Sequence, residues 1–207
     1  SKQQADFISN IAKLFGKRVV FFRSPSIKHD GMWNQGDTIY LNSTSSVMQL
    51  RVLGHELTHA MRVQAPEAYR RMLEAVGDLL TDEQLAAQHR DYFGEALTDL
   101  AALDRAAEGT NGLTLREFLT EEWMADLSGN RFAEEAFWSE VFSAVADRQG
   151  GQAAKGIVGR IRMAVANALN KLLQVVRGGK FSVDERVADR LDQVRAAVRD
   201  GFVAYER

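Results

Sequence analysis

Gly54-His55-Glu56-Leu57-Thr58-His59 is the stretch that decides how this chain reads. His55 and His59 are four residues apart, so on an α-helix both imidazoles project from one face, one turn above the other. Two imidazoles stacked in that way can bind one Zn²⁺, and a Glu directly after the first can serve as general base on the metal's water. The flanking residues predict the helix. Leu50, Leu53, Leu57, Ala60 and Met61 recur at helical spacing as an apolar stripe. At about 100° per residue the histidines fall nearly opposite that stripe. Of the four histidines in the chain (His29, His55, His59, His89), two sit in this motif.

The rest of the composition narrows the classes. At 207 residues the chain is long enough for a sizeable core in one domain, or in a domain with an appendage. Its 45% hydrophobic and 26% charged residues are those of a globular protein in water. With no cysteine, a disulfide framework, a thiolate zinc site and a Cys nucleophile are all excluded. This fits a reducing compartment, and the expectation is the cytoplasm of a bacterial host cell. No run approaches the roughly 20 apolar residues that span a bilayer. The chain begins at Ser1 without a signal-peptide pattern and reads as a trimmed piece or an excised domain. The net charge of -2 conceals a segregation: residues 66–147 hold 18 acids against 6 bases, and residues 148–207 hold 12 bases against 6 acids. That change of sign is the candidate domain boundary near residue 150, with a domain over 1–149 and a basic helical extension over 150–207 that is either separate or part of the same domain.

Around the motif, the pattern predicts an α+β fold, mostly helical, with a small N-terminal sheet packed on the histidine-bearing helix. Phe7, Ile11, Leu14 and Phe15 keep helical spacing, and Gly16 is a natural stop. Arg18 to Arg23 is β-branched and aromatic and predicts a strand. Gly31 to Trp33 and Thr38 to Leu41 are two more strands, separated by the turn-forming Asn34-Gln35-Gly36-Asp37. Ser43 to Ser46 offers hydroxyl caps for the motif helix. Pro66 suits a first helical position for a helix reaching Leu80. Thr81 with Gln84, Thr114 with Glu117 and Ser182 with Glu185 are capping-box patterns. Further helices are predicted near 82–108, 114–129, 133–148, 154–177 and 183–204, with breaks at Gly150-Gly151 and Gly178-Gly179. Trp123 and Trp138 read as core residues.

Two histidines do not complete a catalytic zinc site, which takes three protein ligands and a water. A nearby third histidine would give H-E-x-x-H-x-x-G-x-x-H, but Arg62 and Ala65 occupy the required Gly and His positions. Two carboxylate pairs remain, each four apart and hence on one helical face: Glu122 with Asp126, and Glu95 with Asp99. In either pair the first can ligate the metal while the second accepts the free N–H of a ligating histidine.

His55-Glu56-Leu57-Thr58-His59 followed by Glu122-x-x-x-Asp126 resembles the gluzincin branch of zinc metallopeptidases, the thermolysin-like arrangement. Glu121-Glu122-Trp123-Met124-Ala125-Asp126 is similar, more narrowly, to the E-E-x-x-A-[D/E] stretch of small zincin-like peptidase domains. Those occur in antirestriction proteins and in polyvalent proteins of phages and conjugative elements. Lys180-Phe181-Ser182-Val183 resembles the linkers between domains of such polyproteins. The resemblance covers roughly Val19 to Asp126. It implies a zincin-like fold with His55, His59 and Glu122 as zinc ligands, Glu56 as the base and Asp126 behind a ligating histidine.

A peptidase of this kind needs a donor for the oxyanion and a place for extended peptide. Tyr92, His89 and Tyr40 are the candidate donors, and Thr38 to Leu41 is the candidate edge strand. The rival function is a zincin-fold binding module for nucleic acid or a host protein, with little or no proteolysis. Its feature is the segment 148–180, with seven bases and no acid along an amphipathic pattern. The intact Glu56 favours catalysis, since binding alone needs no base there.

Overall fold

The computed structural model describes residues 2–27, 29–45, 48–106, 110 and 112–146, with residues 163–165, 167, 196 and 202. The fold is mixed α+β and mostly helical, with one small sheet. Helix α1 (Lys2–Leu14) buries Ile8, Ile11 and Ala12. It ends where Gly16 takes φ +69°, a left-handed turn that costs glycine nothing. Strands β1 (Arg18–Phe22), β2 (Gly31–Trp33) and β3 (Thr38–Asn42) follow where the β-branched and aromatic runs and the turn between them predict. Their order in the sheet is β1-β3-β2, with β1 parallel and β2 antiparallel to β3. The register puts Val19, Ile39 and Trp33 in one row and Phe21, Leu41 and Gly31 in the next row on that face. Ile39 and Leu41 are fully buried there. The row between them, Val20, Tyr40 and Met32, belongs to the opposite face, because side chains alternate along a strand.

Helix α2 (Gln49–Gln64) carries the motif and packs on β2, β3 and α1. Leu53, Leu57, Ala60 and Met61 are fully buried, as the stripe requires. Its first turn differs from expectation. The N-cap is Met48, without a side-chain cap. Ser43 donates to the Phe22 carbonyl, Thr44 to Asn42 and Ser45 to Asp30, so these hydroxyls tie down the β3–α2 loop instead. Helix α3 (Pro66–Gly77) starts on Pro66 as expected. Helix α4 (Asp82–Phe93) opens with the Thr81/Gln84 capping box. It stops well short of residue 108, because Gly94 turns left-handed at φ +78°, and the chain continues as a loop to a 3₁₀ turn at Leu100–Asp104. Helix α5 (Leu115–Phe132) opens with the Thr114/Glu117 box, and α6 (Glu135–Ala146) closes the acidic segment. Trp138 is buried, and Trp123 is half-buried against the core.

Helix α5 lies antiparallel along α2, and glycine sets the distance. A Cβ on Gly54 would sit 2.9 Å from the Ser128 carbonyl oxygen and 2.8 Å from the Phe132 ring. One on Gly129 would sit 2.5 Å from the Arg51 carbonyl oxygen. The two backbones therefore touch where only glycine fits. Val165 and Phe202 are buried, and the Phe202 ring meets Phe15 edge-on with centroids 6.4 Å apart. Most of the expected 150–207 extension lies outside the described residues. So do the seven bases of segment 148–180, the Lys180–Val183 stretch and the Ser182/Glu185 box. Among the described residues no helix is long and apolar enough to cross a membrane.

Candidate metal centre

The antiparallel α2–α5 contact fixes which side chains meet. As α2 runs from Arg51 to Arg62, its neighbours on α5 run backwards from Gly129 through Asp126 and Glu122 to Glu121. His55, His59 and Glu122 each offer a ligand atom, and these atoms lie within 4.8 Å of one another. The two Nε2 atoms are 2.9 Å apart. One Glu122 oxygen is 3.5 Å from His55 Nε2 and the other 3.5 Å from His59 Nε2. Ligands about 2.0–2.1 Å from a tetrahedral zinc stand about 3.3 Å apart, so these spacings fit such an ion.

The far side of each ring supports the same fit. His55 Nδ1 lies 3.2 Å from Asp126 Oδ1, and His59 Nδ1 lies 2.5 Å from Glu121 Oε1. A carboxylate only accepts, so each Nδ1 carries the proton. Both Nε2 atoms then lie beside the Glu122 carboxylate, a donor set that could hold a metal ion. Burial, reinforced by Glu121 and Asp126, pushes the Glu122 carboxyl above its usual range, against the pull of His59 and His55.

Asp126 also accepts from Gln88 at 3.1 Å. Burial tends to raise its pKa, but the His55 and Gln88 hydrogen bonds outweigh this and hold it low. Glu121 is the residue that sequence reasoning left unassigned. Its side chain is 2% exposed and takes donors from His59, Tyr69 and Arg62. Burial would raise its pKa too, yet those three partners hold it below the usual range. For His59, desolvation favours the neutral ring but is outweighed by Glu121, Glu122 and Glu56, so its pKa is raised.

The centre opens into a cleft of about 990 Å³. Glu56 lines it beside the histidines, with β2 at one margin and Tyr92 and Phe118 at another. The rival ligand pair is not assembled. Glu95 follows the end of α4 and is exposed, and its carbonyl accepts from His89. Asp99 caps the 3₁₀ turn and pairs with Arg105. Of the three candidate donors only Tyr92 lines the cleft; His89 turns to Glu95, and Tyr40 sits on the central strand. The expected edge strand is corrected as well. Thr38 to Leu41 is paired on both sides, and the edge that borders the cleft is β2.

No protein-family model matches this chain, and neither a curated protein nor a solved structure was found to match it.

Proposed function

We propose that the chain is a zinc-dependent metallopeptidase of the gluzincin type, cutting peptide bonds in the cleft between β2 and α4. The observation that carries this reading is the convergence of His55 Nε2, His59 Nε2 and a Glu122 oxygen, with Glu56 beside them. The donor set of two imidazoles and a carboxylate suits zinc, and each imidazole is backed by a carboxylate. Four carboxylates (Glu56, Glu121, Glu122, Asp126) stand around the site, and a divalent cation offsets their charge.

Bound zinc supplies a Lewis acid for the scissile carbonyl and a water of lowered pKa. The chain's own residues do the rest. Glu56 is not within the ligand group, so its carboxylate is free to take the proton of the attacking water and pass it to the leaving amine. Tyr92 lines the cleft, and its phenolic hydroxyl is the candidate donor for the oxyanion. Among the described residues β2 is an edge strand, and that edge is the place for an extended peptide to add as a strand. Gly31 seats that strand against α2, since a Cβ there would meet the Val52 side chain at 2.2 Å. On the Glu121 to Asp126 stretch we assign the chain to the small zincin-like peptidase domains of mobile-element proteins.

The test compares wild type with Glu56→Gln on a mixed peptide library read by mass spectrometry. New termini should appear with wild type and vanish with chelator. Glu56→Gln should keep its zinc and lose about 10²–10⁴-fold in turnover. Identical cleavage by both proteins would overturn the reading. So would no cleavage by either while the chain shifts nucleic acid in a salt-sensitive way, which is the behaviour of a binding module.

A further inference from the structure

We infer that Glu121, clamped by Tyr69 and Arg62, is the positioning residue that holds His59 for the metal, and that it outweighs the hold of Asp126 on His55. The inference rests on the metal-site reading above and extends it to residues outside the ligand set.

Three helices meet at this carboxylate. Helix α5 supplies Glu121, α2 supplies His59 and Arg62, and α3 supplies Tyr69. Arg62 and Tyr69 come from either side of the break at Ala65, where Pro66 ends one helix and starts the next. One Glu121 oxygen accepts the His59 Nδ1 proton, and the other accepts from the Tyr69 hydroxyl and from Arg62 at 3.3 Å. Both oxygens are used, so the carboxylate cannot turn away from the ring. An unpaired carboxylate at this depth would be costly; Arg62 supplies the opposite charge that makes it tenable.

Asp126 is held less firmly. Its donors are His55 and Gln88, and its side chain is 41% exposed against 2% for Glu121. Water competes for the first carboxylate and is excluded from the second, where a hydrogen bond is stronger in the low local dielectric. The His59 ring is therefore the better anchored of the two. If Glu121 only stitched three helices together, its loss would lower stability without selecting against the metal.

The experiment measures zinc affinity by chelator competition, the unfolding temperature of the metal-free protein, and the visible spectrum of the cobalt-substituted protein. The proteins compared are wild type, Glu121→Gln, Tyr69→Phe and Asp126→Asn. Glu121→Gln should weaken zinc about 10–100-fold and change the cobalt bands, and Asp126→Asn should cost less. Tyr69→Phe keeps its buried ring and should weaken zinc in the same direction as Glu121→Gln, by a smaller factor. The inference is overturned if Glu121→Gln stays within about twofold of wild type in zinc affinity whatever its stability, or if Asp126→Asn costs more. Wild type that takes up no zinc sinks the metallopeptidase reading itself. The Glu121 hold is then read separately, by nuclear magnetic resonance of the metal-free chain. A slowly exchanging His59 Nδ1 proton that disappears in Glu121→Ala supports it, and its absence from wild type removes it.

Discussion

Glu122 is a carboxylate that sits badly without a partner cation. It is buried, flanked by Glu121 and Asp126, and shifted toward the neutral form by that burial and those neighbours. Bringing it to 3.5 Å from both Nε2 atoms makes sense as ligation. Elemental analysis should find one zinc per wild-type chain and little in His55→Ala or Glu122→Gln, with Glu95→Gln unaffected because Glu95 is exposed and off the cleft. Retention of zinc by Glu122→Gln together with its loss in Glu95→Gln would reverse the ligand assignment. At this scale a local spacing was enough to pick out His55, Glu56 and His59, because four residues on one helix fix two side chains on one face. The same spacing left Glu122/Asp126 and Glu95/Asp99 equal; in the structure Gly94 ends α4 before Glu95, while the close α2–α5 packing brings Glu122 to the histidines. Glu121 and Tyr69 carry no local pattern at all. Their meeting depends on how three helices cross, which no single periodicity contains.

The α2–α5 contact is the element on which the site depends, and it depends in turn on glycine. Real side chains essentially never place a Cβ within 3.0 Å of a non-bonded backbone atom, and Gly129 leaves only 2.5 Å to the Arg51 carbonyl oxygen. Gly129→Ala should force the helices apart and destabilise the chain by about 1–3 kcal/mol, as overpacking does, while weakening zinc binding by the same displacement. Gly77→Ala is the control. Its Cβ would meet Thr120 at an ordinary 3.8 Å, so the substitution should be neutral or stabilise by up to about 1 kcal/mol. Chemical denaturation of both variants checks this, and a Gly129→Ala as stable as Gly77→Ala would mean that α5 can shift freely. Element order was largely readable beforehand. The β-branched and aromatic run of β1, the turn before β3, the Gly16 stop, Pro66 and the two described capping boxes all act within a few residues and left their marks in sequence. Two of the misreadings depend on distant partners, whereas the overlong α4 does not, because the Gly94 that ends it stands in the sequence itself. Ser43 to Ser45 look like caps until the loop they bind is in place, and an edge strand is known only once its neighbours are.

At the scale of the whole molecule, a metal held by two residues of α2 and one of α5 is a cross-link between the two helices that organise the core. A ligand that binds the folded chain and not the unfolded one stabilises it by mass action, about 2.7 kcal/mol when the free metal is 100 times its dissociation constant. For a chain of 207 residues, each kcal/mol moves the unfolding midpoint by about 2–4 °C, so zinc should raise it by about 5–10 °C. A chelator should return the midpoint to its metal-free value. Glu122→Gln separates this linkage from packing. The amide is nearly isosteric and removes a buried charge from beside Glu121 and Asp126, so the metal-free variant should unfold no lower than metal-free wild type. It should nevertheless lose the zinc-dependent rise. Glu56→Gln lies outside the ligand group and should keep that rise in full while losing turnover. The pair of variants thus divides what the site gives to stability from what it gives to chemistry, in the sense that a buried ligand trades stability of the empty fold for function. Differential scanning calorimetry with and without zinc makes the comparison. A wild-type midpoint that ignores zinc would remove the metal centre and the peptidase with it, and a Glu122→Gln midpoint that follows zinc would overturn Glu122 as the ligand.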